Sequence, residues 1–270
     1  MKQMDNELEE LHYRLLEMVT AFQKFTTENK LVFFLVGGSA LGALRHSGFI
    51  PWDDDIDIAM MRSDFEKMEH IMAESGNRLG DFIYSPVEEQ VIPEAPIGYL
   101  YDFVRTENGY EVNAKIDIHP IDGVPENSIL RKLQKTVSLV YYLSVYRLPV
   151  KNKGKGIRMI SKVILKLTPD ILFRFFRKVS KKIMTRWNAE NSENICSLFG
   201  VAGYEQEIMP RDYLIPLKSV PFETGEFFMP GKPHEYLKRL YGNYMELPPE
   251  EQRHPQIHYN GYRACKRETQ

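Results

Sequence analysis

FIPWDDDIDIAM, residues 49–60, places four carboxylates within five positions, Asp53, Asp54, Asp55 and Asp57, and braces the last two with Ile56 and Ile58. Alternation with period two reads as a strand over residues 54–60. On such a strand Asp55 and Asp57 project from one face, while the isoleucines go into the core. Two carboxylates sharing a face raise each other's pKa unless a cation lies between them. Oxygen-only donors favour a hard ion, Mg2+ or Mn2+. KIDIHP, residues 115–120, repeats the device, with Asp117 between Ile116 and Ile118. If the two strands are neighbours, Asp55, Asp57 and Asp117 converge on one metal centre. A merely solvated acidic turn would not need the alternating isoleucines. An EF-hand loop is excluded because Ile58 stands where that loop requires glycine.

Upstream of the acidic strand, LVFFLV (31–36) is a short apolar run suited to a buried strand, followed by Gly37-Gly38-Ser39. Ser39 is placed to cap a short helix. Glycines between a strand and a helix N-terminus let a phosphate approach the backbone amides. Taken alone this turn is weak evidence. It gains weight because it precedes Asp55 by 16 residues, one strand–helix–strand step. Ala43-Leu44 stand where a Walker site needs Lys-Ser/Thr, so this is not a P-loop.

Further out, Leu8, Leu11, Leu15, Val19 and Phe22 recur at steps of three and four, predicting an amphipathic helix over 4–29. Ser63 and Glu66 have capping-box spacing, predicting a helix over about 63–74. Two strand-like runs, 99–106 and 111–120, flank Glu107-Asn108-Gly109, a hairpin signal. Helices are expected over 127–146 and 155–167. Thr168-Pro169 should open another, running to about residue 190. A last helix is expected near 233–241. The order predicts an α+β fold, a small mixed sheet flanked by helices plus a helical region. Its parts would be a catalytic core over 1–126, a basic helical region over 127–190 and a mixed segment over 191–270 that completes the same domain.

Hydrophobic residues make up 43% of the 270-residue chain and charged residues 27%, the profile of a globular domain. No basic-then-apolar leader opens the sequence, so a cytoplasmic setting is expected. The net charge of −2 hides a division. Residues 1–146 hold 13 Lys and Arg against 24 Asp and Glu, whereas residues 147–187 hold 13 against Asp170 alone. Basic residues there alternate with Ile, Leu, Phe and Met at helical spacing. That pattern suits peripheral contact with an anionic membrane surface. Solvated helices, or a cover over the acidic half, are the plainer readings. No nucleic-acid-binding motif is present.

Strand, Gly-Gly-Ser, helix, then a strand bearing Asp-x-Asp with a third acid on a later strand resembles the polymerase-beta-like nucleotidyltransferase superfamily. More narrowly, GGSALGALRHSGFIPWDDDIDIAM (37–60) is similar to the LicD signature, and IDIHPIDGVP (116–125) and YGNYMELPPEEQRH (241–254) to its later blocks. The resemblance implies a magnesium-dependent transferase moving phosphocholine, or another phospho-alcohol such as phosphoribitol, from CDP-choline or another CDP-alcohol. The acceptor would be a hydroxyl of a lipid-linked or envelope glycan, and CMP would be released. It assigns Asp55 and Asp57 as metal ligands and Asp117 as third carboxylate, either ligand or general base. Gly37, Gly38 and Ser39 become the phosphate-binding turn. Arg45 lies six residues after Ser39, about 9 Å along a helix. It would bind the diphosphate or pair with the acids. Lys115 shares a face with Asp117 and is a weaker phosphate candidate. His119 shares that face too, but a lone histidine is more often structural. Transfer of a nucleoside monophosphate, or non-catalytic glycan assembly on the same fold, are the competing functions.

Overall fold

A computed structural model describes residues 2–90, 92, 95–106, 109–147, 159, 163, 165–166, 168–187, 190–254 and 263–264. The architecture is α+β, as the element order predicts. Helix α1 (Lys2–Glu28) carries the first apolar stripe, and its Leu15, Met18, Val19 and Phe22 are fully buried. Strand β1 (Phe34–Leu35), helix α2 (Gly37–His46), strand β2 (Ile56–Met61) and helix α3 (Arg62–Glu74) follow. Strands β3 (Arg78–Leu79), β4 (Phe82–Ser85), β5 (Gly98–Thr106) and β6 (Gly109–Val124) come next. Helices α4 (Ser128–Tyr146) and α5 (Asp170–Met184) then pack against each other. The chain continues through β7 (Asn194–Ser197), the short α6 (Tyr204–Glu207), β8 (Met209–Pro210), β9 (Lys218–Phe222), β10 (Gly225–Met229), α7 (Pro233–Tyr241) and β11 (Arg263–Ala264).

The main sheet runs β1-β2-β6-β5-β4-β3, with β7, β8 and β11 attached through β6. Among the described residues it has nine strands, more than the small sheet expected. Strand β6 organises it. Its first part forms the expected hairpin with β5, Thr106 opposite Gly109; the turn residues Glu107 and Asn108 lie outside the described residues. Its middle pairs with β2 in parallel, and its end pairs with β7 from Ile121 to Val124. Ile121 is paired with Met61 on one edge and Ser197 on the other, so β7 takes the edge that β5 leaves at Ile118. His119 and Pro120 sit in the interval between them. Asn113 is the extra residue of a bulge, and its side-chain amide donates to Asp102 Oδ2 at 2.7 Å.

Several boundaries differ from expectation. Strand β2 begins at Ile56, two residues late, so Asp54 and Asp55 precede it. Ser39 does not cap α2; Val36 is the N-cap residue, and the Ser39 hydroxyl instead accepts from the Asp57 amide at 2.9 Å. The Ser63–Glu66 capping box does not form, because the Ser63 hydroxyl donates to Glu190 at 2.7 Å. Helix α5 is capped by Pro169 and ends near 184 rather than 190. There the Trp187 carbonyl accepts from the Gly123 amide at 3.1 Å and draws the chain to β6. The helix expected over 155–167 falls almost wholly outside the described residues. Asn127 caps α4 as a polar N-cap should, accepting from the amides of Ile129 and Leu130.

Candidate active site

The parallel register sets Asp57 beside Asp117 and Ala59 beside His119. Alternation then puts Lys115, Asp117 and His119 on the face that Asp57 shares, while Ile56, Ile58, Ile116 and Ile118 are fully buried on the other. Ligand atoms of Asp57, Asp117 and His119 lie within 4.8 Å of one another. Asp53, Asp54 and Asp55, just ahead of β2, form a second such group. Asp55 therefore stands with its chain neighbours, although Asp57 and Asp117 both act on its charge.

The glycine turn fits closely over this cluster. Gly37 has φ +53°, a left-handed conformation that favours glycine, and a Cβ there would overlap Asp57 Oδ2. A Cβ on Gly38 would fall 2.8 Å from Asp53 Oδ2. The Gly38 amide donates to Asp57 Oδ2 at 3.2 Å, and the Gly37 amide to the Tyr236 hydroxyl at 3.0 Å. With Ser39 bound to the Asp57 amide, the whole Gly-Gly-Ser turn is tied to β2 and to α7.

Charge crowding sets the electrostatics. Burial, with Asp57 and Asp54 nearby, pushes Asp53 up to about 7. Burial, then Asp57, Asp117 and Asp53, carry Asp55 well above the carboxylate range. Asp117 rises to about 6 through burial, opposed by Lys115 and reinforced by Asp57. Asp57 goes the other way. Its burial penalty is outweighed by the His119 ring, 3.4 Å from Oδ1, and by the Gly38 amide. Lys115 is itself buried, with Nζ 3.0 Å from Asp117 Oδ1 and 5.4 Å from the centre of the Tyr99 ring. Apart from that ion pair, the buried Asp117 Oδ1 accepts no hydrogen bond among the described residues.

This arrangement fits a divalent cation. Like charges are packed under a glycine turn, the buried Asp117 Oδ1 is answered by one ammonium alone, and carboxylates supply most of the donors. His119 adds a nitrogen donor, which broadens the fit toward Mn2+. Its presence was legible only as a two-residue step from Asp117. Tyr236, which anchors Gly37 from 199 residues away, left no local signal.

A cavity of about 330 Å³ opens beside Asp57 and His119, walled further by Gly37, Ser197, Glu207 and Tyr241. Arg45, at the end of α2, turns toward the C-terminal block. Its Nη1 donates to the Tyr244 carbonyl at 3.0 Å and its Nε to His46 at 2.9 Å. Trp52 is half-buried against the core, with the Arg253 guanidinium 5.9 Å above its ring. Residues 241–254 thus meet the first motif block in space.

Residues 30–134 match the family described as LicD/FKTN/FKRP, nucleotidyltransferase domain. The lipopolysaccharide cholinephosphotransferase LicD of Haemophilus influenzae is 26% identical over 253 residues, spanning 89% of this chain and 92% of that protein. The ribitol 5-phosphate transferase FKRP of Homo sapiens, like that of Mus musculus, is 29% identical over 103 residues, 37% of this chain but 18% of FKRP. The motif blocks and both comparisons agree: residues 30–134 match the LicD/FKTN/FKRP nucleotidyltransferase domain, and the chain as a whole is similar to LicD.

Proposed function

We propose that this chain transfers a phospho-alcohol, phosphocholine or phosphoribitol, from a CDP-alcohol to a glycan hydroxyl. The acceptor oxygen forms a bond to the phosphorus bearing the alcohol. The bond from that phosphorus to the bridging oxygen breaks, CMP leaves with the electron pair, and the hydroxyl proton passes to a base. The reading is carried by one juxtaposition: Asp57, Asp117 and His119 within 4.8 Å, beneath a glycine turn and beside a cavity. The names of the H. influenzae and human relatives support transfer of a phosphorylated alcohol.

Asp57, Asp117 and His119 would hold Mg2+ or Mn2+, with Asp55, on whose charge Asp57 and Asp117 both act, next to them. Such an ion would neutralise charge on the phosphoryl oxygens and lower the pKa of the attacking hydroxyl. Asp117 Oδ1, met only by the Lys115 ammonium, supports a ligand role for that residue rather than a general-base role. Lys115 holds a positive charge beside Asp117 and offsets part of the anionic crowding when a diphosphate arrives. The Gly37 and Gly38 amides, held by Tyr236 and Asp57, would meet phosphate oxygens only by leaving those partners. Arg45 would reach a diphosphate only by leaving the Tyr244 carbonyl.

Incubation with a panel of CDP-alcohols and envelope-type glycan acceptors tests this. CMP release dependent on divalent metal, and lost in Asp57→Asn, is expected. Pyrophosphate release from a nucleoside triphosphate would point instead to nucleotidyl transfer. No metal-dependent turnover of any CDP-alcohol would overturn the proposal.

A further inference from the structure

The basic block acquires a definite geometry in α5, and the catalytic site does not use it. Ile171, Leu172, Phe175, Phe176 and Val179 are all exposed, Ile171 by 67% and Phe175 by 59%. At 3.6 residues per turn they fall within an arc of about 140°. The buried residues of the same helix, Phe173, Ser180 and Met184, lie outside that arc. The apolar arc is therefore a second face, one left exposed among the described residues.

The basic residues of α5 divide into two stripes. Arg177 and Lys181 pair with Glu88, at 3.4 and 3.6 Å, and act as the cover over an acidic residue that the charge division allowed. Arg174, Lys178 and Lys182, four residues apart, run along one edge of the exposed apolar arc, Lys182 just inside it. They form no ion pair among the described residues. Around the helix the order is buried face, paired cations, unpaired cations, exposed apolar face.

We propose that this face of α5 docks on an anionic lipid bilayer surface, lying in the interface with Ile171, Phe175 and Val179 inserted and Arg174, Lys178 and Lys182 among the headgroups. Charge complementarity selects this occupant. A neutral apolar partner would leave the cation stripe unanswered, and a second copy of the chain would bring a like-charged stripe against it. A helix of 15 residues bearing this much charge lies on a membrane rather than crossing it. Among the described residues no helix is long and apolar enough to span one. This inference is independent of the reaction catalysed.

Flotation of the full chain with vesicles of phosphatidylcholine, with and without phosphatidylglycerol, tests it. The wild type should float with the anionic vesicles at low salt and be released as salt rises. Phe175→Ser, an exposed change that the fold should tolerate, should lower partitioning about tenfold or more. The pair Lys178→Glu and Lys182→Glu should abolish the preference for anionic lipid. No flotation of wild type, equal flotation with neutral vesicles, or unchanged flotation of the variants would overturn the proposal. So would a concentration-dependent dimer in sedimentation that Phe175→Ser abolishes, because the face would then belong to a second copy.

Discussion

Asp57 and Asp117 stand side by side in the parallel pairing of β2 with β6, the one parallel pair among the described strands. A parallel pair cannot come from a hairpin. The contact therefore joins residues 60 apart in sequence and exists only once the sheet has formed. It also concentrates negative charge that the metal-free fold must tolerate.

That cost sets a pH dependence. Asp53 and Asp117 ordinarily titrate at 3.8, and in the fold they are raised to about 7 and about 6. A raised folded pKa contributes stability that is fully present below the unfolded value and is lost as pH rises through the folded value. In excess EDTA the melting temperature should therefore fall as pH is taken from about 5 to about 8. Mg2+ or Mn2+ added at pH 8 should restore it, and Asp117→Asn should blunt that response. Thermal unfolding across this pH range, with and without metal, is the measurement. A melting temperature indifferent to divalent ions would remove the cation site.

Gly37 and Gly76 offer a matched contrast. Both have positive φ, +53° and +68°. A Cβ on Gly76 meets nothing within 4 Å, whereas one on Gly37 overlaps the Asp57 carboxylate. Gly76→Ala should cost only the backbone penalty, about 1 kcal/mol, with turnover intact. Gly37→Ala adds a steric conflict with Asp57 and should abolish turnover. Comparing unfolding and kcat for the two variants separates conformation from contact.

The acidic strand and the strand bearing Asp117 could be read from alternation alone, because a period of two is a local property of the chain. The hairpin was legible for the same reason, since Asn-Gly constrains its own neighbours. What escaped depends on distant partners. Ser39 looked like a helix cap, but the Asp57 amide reached it first. Ser63 looked like half of a capping box, but its hydroxyl serves Glu190, 127 residues on. Asp55 and Asp57 looked like one pair; β2 begins between them and groups Asp55 with Asp53 and Asp54, while Asp57 remains the strongest charge acting on it. His119 was placed on the right face, yet nothing local showed that its ring would meet Asp57.

Tyr236 holds the other side of the glycine turn, and its hydroxyl accepts from the Gly37 amide. Tyr236→Phe keeps the ring, which is packed in the core, and leaves that amide without its partner. The expected loss of stability is about 1–3 kcal/mol, the desolvation cost of an orphaned donor. With Gly37 less firmly placed over Asp57, kcat should fall about tenfold or more while the metal-dependent melting shift persists. Chemical denaturation and steady-state kinetics on one preparation check both. Unchanged kcat would show that the turn is held without Tyr236.

Arg62 and Asp122 test the opposite face of the sheet. Asp122 is fully buried on β6, on the face turned away from Asp117, and receives Nε of Arg62 at 2.7 Å as part of a two-bond fork. Removing one member leaves a buried charge unanswered, so Asp122→Asn should cost about 3–5 kcal/mol. Replacing the pair together, Arg62→Met with Asp122→Leu, removes both charges, and the double variant should regain most of that loss. Because neither side chain reaches the Asp57 cluster, the folded fraction of each variant should keep wild-type specific activity. A double-mutant cycle by denaturant unfolding, with kcat corrected for folded fraction, gives both readings. A purely additive cycle would mean that the fork contributes no coupling between α3 and β6.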